Sequence, residues 1–209
     1  MIAFLLKGGV VMIPIAVLSV IALALIAERI AFFLGIRERG DGLHARIIEL
    51  VRTGNTPAAC DELERTRTPE AKVLLAGLAA RAEGQSGETV GLRMEAQALK
   101  HTAALEHNVG FLSSIANLCT LLGLLGTVTG MLRAFLNMRV SGISDPARLA
   151  GGISEALITT VAGLSVAIPC LLAFHVFRQR VNSALSHMEI ASSELLGLFA
   201  REKQLRIKP

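Results

Sequence analysis

The stretch LLGLLGTVTGM, residues 121–131, decides the fold, because it places three glycines and two threonines inside a long apolar run. A glycine lowers helix stability by about 1 kcal/mol relative to alanine. A buried threonine hydroxyl needs a hydrogen-bond partner. Leucine alone would make a more stable apolar helix, so the stretch indicates close helix contacts and polar atoms within a buried or membrane-embedded helix.

The stretch lies in one of three apolar windows that contain no ionisable residue. These windows cover residues 8–27, 108–132 and 156–174, with lengths of twenty, twenty-five and nineteen residues. About 18 or more apolar residues can cross a bilayer as a helix. Hydrophobic residues make up 52% of the chain, charged residues 18%, and the mean hydropathy is +0.56. The sequence therefore predicts an all-α integral membrane protein with three transmembrane helices.

The distribution of Lys and Arg predicts the orientation of these helices. Residues 28–107 hold eleven of them and the tail after residue 174 holds six, whereas the N-terminal flank has only Lys7. The first window is longer than a signal-peptide core and lacks a small-x-small cleavage pattern before Glu28, so we expect it to be retained. The prediction is an N-terminus outside, with the large loop and the C-terminus inside.

The resulting organisation has six segments. They are an N-terminal segment with the first span (1–34), a cytoplasmic helical loop (35–107), the second span (108–136), a short periplasmic connection (137–150), the third span (151–177) and a cytoplasmic C-terminal helix (178–209).

Helical periodicity extends beyond the spans. The segments HARIIELV (44–51) and EAKVLLAGLAARA (70–82) have apolar residues three and four apart, which predicts short amphipathic helices. From Glu88 the pattern continues without proline into the second span, so one unbroken helix is predicted there. After the third span, apolar residues fall along one side of a second long helix: Val181, Leu185, Met188, Leu195 and Phe199. The two extensions predict a cytoplasmic stalk.

Three hydroxyls in the second span are seven residues apart. Ser113, Thr120 and Thr127 therefore share one helix face; we call them the hydroxyl column. Threonines in membrane helices can simply bond their own backbone, but a whole column equally indicates water, an ion or a polar partner. The glycines are assigned to close helix packing, as in GxxxG pairs: Gly123, Gly126, Gly130 and, in the third span, Gly163.

The third span begins with GISEALITTVAGLSVAIP, residues 152–169. Glu155 has two equally weighted interpretations: an acidic residue stabilised by the helix N-terminus, or a charged group at the mouth of a polar pathway. Thr159 shares the face of Glu155, whereas Thr160 is turned away by about 140°. Which of the two threonines would face such a pathway stays open.

No Asp, Lys or Arg lies inside any window. If the chain guides ions, the group that takes up and releases the proton should therefore come from elsewhere. The three cysteines lack the spacing of a disulfide framework or a metal site, and no cofactor is expected. Basic residues interleaved with aromatics, typical of nucleic-acid binding, do not occur, and an intramembrane enzyme is disfavoured because HExxH and paired aspartates are missing from the spans.

Together, the paired stretches 121–131 and 152–169 resemble the MotA/TolQ/ExbB proton-channel family, most closely its ExbB branch. The resemblance covers the three-span order and the large loop as well. It implies a non-enzymatic subunit of the bacterial inner membrane that forms a homo-oligomer, a pentamer, around an ExbD-like dimer of single-span subunits. Such an assembly uses protons to energise TonB-dependent transport across the outer membrane through a TonB-like protein.

By the same resemblance, Thr127 and Thr160 line the proton path and Glu155 stands at its mouth, while the titrating aspartate belongs to the ExbD-like partner. Thr120, Ser113 and Thr159 are further candidates for the lining. Membrane lipid is a further expected partner. Two alternatives remain: a TolQ-like or gliding-type motor for cell-envelope work, and a non-conducting membrane scaffold in which the hydroxyl column merely packs helices.

Overall fold

A computed structural model of the chain describes residues 8–35, 42–66, 68–141 and 146–207. All regular secondary structure in these ranges is α-helical. The helices, in chain order, are α1 Met12–Gly35, α2 Leu43–Arg52, α3 Thr56–Arg65, α4 Pro69–Ala82, α5 Gly87–Glu106, α6 Val109–Ser141 and α7 Pro146–Ile207. Lys7, used for the orientation, and residues 142–145 of the predicted connection lie outside the described ranges.

The helices form two compact units. One, the membrane unit, contains the chain up to Ile30 and Asn108–Phe177; the other, the helical unit, contains Ala31–His107 and the chain from Arg178 onward. All three apolar windows lie in the membrane unit. The helices that carry these windows are long and apolar enough to cross a bilayer, which agrees with the prediction of an all-α integral membrane protein with three spans.

Two polar contacts connect the ends of neighbouring apolar windows in the membrane unit. At one end, Asn108 Nδ2 donates a hydrogen bond to Glu28 Oε2 at 2.9 Å. At the other end, Arg133 Nη1 donates to Glu155 Oε1, also at 2.9 Å. Each of these residues lies at or next to the end of a window. Neighbouring apolar segments therefore end side by side, as expected of helices that cross one bilayer.

Helices α6 and α7 run antiparallel and approach closely through small residues. A Cβ added at Gly130 would lie 3.0 Å from the backbone nitrogen of Ala156, and one added at Gly163 would lie 2.5 Å from the carbonyl oxygen of Cys119. Helix α1 packs beside them. The core of the membrane unit contains small and aliphatic side chains from all three helices: Ala22, Ile115, Ala116, Cys119, Ala167 and Cys170.

The prediction of one unbroken helix from Glu88 into the second span is wrong. Helix α5 ends at Glu106 and α6 begins at Val109, because Asn108 adopts a left-handed backbone with φ 61°. Asparagine enters this region more readily than most residues, and here its side chain also bonds Glu28. The third span does continue beyond the membrane window, since α7 runs unbroken through Pro169 to Ile207.

The helical unit buries apolar side chains from each of its helices. The two segments predicted to be amphipathic helices form α2 and α4. Thr68 and Ser86 cap the starts of α4 and α5 by accepting hydrogen bonds from the backbone of Ala71 and Thr89. The largest fully buried side chains of this unit are Ile47, Leu63, Leu74, Leu78, Met94, Met188 and Leu195. The predicted apolar side of α7 is buried at Val181, Met188, Leu195 and Phe199, and half-buried at Leu185.

Candidate functional site

The hydroxyl of Thr160 joins α7 to α6. Its Oγ1 donates to the carbonyl oxygen of Gly123 at 3.0 Å, and the carbonyl of Ala156 in its own helix lies 3.3 Å away. Gly123 permits this contact because a Cβ at that position would lie 3.3 Å from Thr160 Cα. Thr160 is half-buried, at the edge of the interface between the two helices.

Thr159 points to a different neighbour. Its Oγ1 lies 2.8 Å from the carbonyl oxygen of Gly8 and 2.9 Å from that of Glu155, and the residue is fully buried. The two adjacent threonines thus contact different parts of the chain, as their angular separation requires. The Thr159 hydroxyl bonds to the turn before α1, whereas Thr160 lies at the edge of the α6–α7 interface.

The hydroxyl column lies on α6, and two of its hydroxyls bond to carbonyls of their own helix. Thr127 Oγ1 donates to Leu124 O at 2.6 Å and Thr120 Oγ1 to Ala116 O at 3.0 Å. Ser113 and Thr127 are half-buried, whereas Thr120 is exposed. A hydroxyl that donates its only proton to its own helix still presents oxygen lone pairs. Thr120 and Thr127 therefore present hydrogen-bond acceptors to whatever lies beside them.

The glycines assigned to packing all lie buried between α6 and α7. Gly126 faces Thr159, Gly130 faces Ala156, and Gly163 faces Gly123 and the Cys119 backbone. Any added side chain would meet backbone or Cβ atoms of the opposite helix, which cannot move independently of that helix. These positions bring the two helices to backbone distance.

Glu155 does not lie at a helix N-terminus. Helix α7 begins at Pro146, more than two turns earlier, and a helix dipole stabilises charge only within the first turn. The helix-terminus interpretation is therefore wrong. Glu155 instead pairs with Arg133, with 2.9 Å between Nη1 and Oε1.

Sequence reasoning missed two features next to Glu155. They are the pair of Glu155 with Arg133, which directly follows the second window, and the contact with Gly8 and Gly9, which begin the first. The antiparallel order of the second and third spans could have revealed the pair, because it brings the end of one window beside the start of the next. The glycine turn had no such signal, since its contact joins residues 151 positions apart.

The described residues contain no group of three His, Cys, Asp or Glu side chains that could hold a metal ion. Cys60, Cys119 and Cys170 are free thiols, and the latter two are buried within the membrane unit.

Comparison with known proteins gives consistent matches. Residues 65–190 match the model of the MotA/TolQ/ExbB proton channel family. The chain is 39% identical over 198 residues to the putative biopolymer transport protein ExbB-like 1 of Synechocystis sp., covering 91% of this chain and 75% of that protein. It is 30% identical over 115 residues to the biopolymer transport protein ExbB of Pseudomonas putida, covering 55% and 35%. It is 39% identical over 80 residues to the Tol-Pal system protein TolQ of Haemophilus influenzae, covering 38% and 35%.

Proposed function

Since the chain belongs to the MotA/TolQ/ExbB proton channel family, we propose that it is an ExbB-like subunit of a proton-driven motor in the bacterial inner membrane. In this proposal, five copies surround a dimer of ExbD-like single-span subunits. The assembly uses the proton motive force to energise TonB-dependent transport across the outer membrane, through a TonB-like partner. The N-terminus is periplasmic and the C-terminus cytoplasmic.

The observation that carries the proposal is the hydrogen bonding of three threonine hydroxyls on α6 and α7, which we propose to form one wall of the proton path. Thr120 and Thr127 donate to their own helix, and Thr160 donates to Gly123. Their remaining capacity is to accept a hydrogen bond. Such a wall suits a neutral, protonated carboxyl group, which has one proton to donate.

The carboxyl group itself comes from the partner in this proposal. The apolar windows of this chain contain no Asp, Lys or Arg. An ionised side chain at the centre of a bilayer costs about 2.5–3.5 kcal/mol on insertion scales. A partner aspartate therefore passes the wall at lower cost in its protonated form, and the hydroxyls at Thr127 and Thr160 receive its proton as a hydrogen bond.

The energy for movement comes from the membrane potential. One charge that moves through 100 mV releases about 2.3 kcal/mol, which is enough to bias rearrangements between states of similar energy. Close contact at the buried glycines keeps α6 and α7 together while the partner helices move against them. Glu155 lies at the mouth of the path, beside the end of the second window and the start of the third.

The match to TolQ supports a second candidate within the same mechanism, a TolQ-like or gliding-type motor that performs cell-envelope work. This candidate shares the proton path and differs in the partner that receives the force. Growth and uptake assays in cells lacking the chain separate the two: loss of receptor-dependent uptake indicates the ExbB-like role, and loss of envelope integrity the TolQ-like role.

The proposal is tested by reconstitution. The chain is purified alone and together with the ExbD-like protein of the same cell, and each preparation is placed in liposomes with a pH-sensitive dye and a potassium diffusion potential. We expect proton flux from the complex and none above background from the chain alone. A complex that assembles but conducts no protons would support the scaffold instead.

A further inference from the structure

Three parts of the chain meet at Glu155. Arg133, near the end of the second window, places Nη1 2.9 Å from Glu155 Oε1. Gly9, at the start of the first window, lies against the same carboxylate: a Cβ there would overlap Oε1 and would lie 3.1 Å from Cδ. We call Gly9, Arg133 and Glu155 the mouth cluster.

The backbone of the turn before α1 is fixed in this position. Gly9 has a φ of 70°, a left-handed conformation that favours glycine. The carbonyl of the preceding Gly8 accepts a hydrogen bond from Thr159, which lies one helical turn after Glu155. The turn is thus attached to the same face of α7 that carries the carboxylate.

Both contacts restrict the Glu155 side chain at Oε1. A free glutamate samples several rotamers, and its carboxylate moves by several ångströms among them. The charge-assisted hydrogen bond from Arg133 to Oε1 favours one of them, and the Gly9 backbone lies against the same oxygen, where it leaves no room for a Cβ. A glutamate that served only as an exposed surface charge would need neither the bond from Arg133 nor the contact with Gly9.

Building on the proposed function, we propose that Arg133 is a positioning residue that holds the Glu155 carboxylate at the mouth of the proton path, and that the Gly8–Gly9 turn forms one wall of that mouth. Arg133 acts through Glu155 and touches no proton carrier itself. The Gly8–Gly9 turn is thereby part of the mouth of the proton path, although it belongs to neither of the two spans that carry the hydroxyls.

A double-mutant cycle tests the role of Arg133. Proton flux is measured in liposomes that contain the complex with its ExbD-like partner, for Arg133→Gln, Glu155→Gln, the double variant and Arg133→Lys. If Arg133 acts through Glu155, the effects of the two single variants do not add. We expect each glutamine variant to lower the flux about tenfold and the double variant to match Glu155→Gln within about twofold. Arg133→Lys, which keeps the charge, is expected to retain at least about half of the flux.

Gly9→Ala tests the wall of the mouth, with Gly84→Ala as its control. Both glycines are left-handed, with φ of 70° and 76°, so both substitutions carry the same backbone strain. Only at Gly9 does the added Cβ meet the Glu155 carboxylate, since nothing lies within 4 Å of one at Gly84. We expect lower flux from Gly9→Ala and unchanged flux from Gly84→Ala, each compared at equal amounts of purified complex.

Folding is checked on the same samples with a thiol-reactive dye, because Cys119 and Cys170 are buried in the core of the membrane unit. Full flux in Arg133→Gln, when Glu155→Gln has lost it, would overturn the positioning role and leave the proposed motor intact. Additive losses in the double variant would overturn it as well. A wild-type complex without proton flux would instead refute the motor, and the mouth with it.

Discussion

The hydroxyl of Thr160 donates to the backbone carbonyl of Gly123, 3.0 Å away on the opposite helix. This bond exists because Gly123 has no side chain, so that the two helices can approach to backbone distance. The glycine and the threonine therefore have complementary roles. The glycine sets the spacing of α6 and α7, and the threonine stands at the edge that this spacing leaves open.

Gly163→Ala is expected to destabilise the membrane unit. The new Cβ would lie 2.5 Å from the Cys119 carbonyl oxygen and 3.1 Å from Gly123 Cα, and such overpacking costs about 1–3 kcal/mol. Gly110→Ala is the control, because nothing lies within 4 Å of its added Cβ. The chain lacks Trp and Tyr, so thermal unfolding in detergent is best followed with a dye that reacts with the buried thiols. Equal melting temperatures for both variants would refute the close contact.

Thr159→Val is expected to loosen the turn before α1. Valine keeps the shape of threonine but removes the donor that the Gly8 carbonyl uses, and a buried acceptor left without its partner costs about 1–3 kcal/mol. Thr159→Ser, which keeps the hydroxyl, should restore most of the stability. Limited proteolysis of the N-terminus and the melting temperature measure the effect. Protection equal to that of the unmodified chain would show that the bond to Gly8 contributes nothing.

Much of this architecture was predictable because its determinants are local. Long windows without charge identify the three spans, and spacing of three and four identifies α2 and α4. The apolar side of α7 could also be predicted, since its periodicity persists through Phe199. Each of these features depends only on residues near one another in the sequence.

Features that depend on distant residues could not be predicted in the same way. The break at Asn108 was missed because the sequence between Glu88 and Leu132 contains no proline, and asparagine alone is a weak signal for a left-handed residue. The pair of Arg133 and Glu155 and the contact of Gly9 depend on how three helices pack. The helix-terminus interpretation of Glu155 stayed open beside the pathway interpretation because the helical turns from Pro146 onward precede the apolar window and lack its signal.

Asn108→Ala is expected to lower the free energy of unfolding by about 1–2 kcal/mol more than Asn108→Gly does. Both variants lose the hydrogen bond to Glu28, so their difference isolates the left-handed backbone with φ 61°. Circular dichroism at 222 nm measures the thermal stability of each. Equal thermal stability of the two variants would show that residue 108 does not need the left-handed conformation. It would contradict this explanation of the break between α5 and α6.

Glu70 should make the stability of the helical unit depend on pH. Burial raises the pKa of its carboxyl group, and the nearby His44 and His187 oppose this effect only in part. His44 Nδ1 lies 3.7 Å from Oε1. Because the pKa is higher in the folded than in the unfolded chain, the folded form binds the proton more tightly. The free energy of unfolding therefore falls as pH rises through the range between the two pKa values.

Glu70→Gln should remove this dependence. We expect the variant to have the higher melting temperature at pH 7, and the difference to disappear below about pH 4, where the unfolded carboxyl is protonated as well. Glu95→Gln, a substitution at an exposed position of α5, is the matched control and should show no such trend. The difference in melting temperature is the variant's value minus that of the unmodified chain. If this difference were lower at pH 7 than at pH 4, it would contradict a raised pKa for Glu70.

The central claim is that the hydroxyls of Thr127 and Thr160 line a proton path, and proton flux through the reconstituted complex tests it most directly. The double variant Thr127→Val and Thr160→Val is compared with Thr129→Val, whose hydroxyl also bonds its own helix, to Leu125 O at 2.9 Å, but lies off the column. At equal assembly with the ExbD-like partner, we predict about tenfold lower flux for the double variant and unchanged flux for the control. Equal flux from the two variants would contradict the account, as would a loss of flux explained entirely by lost assembly.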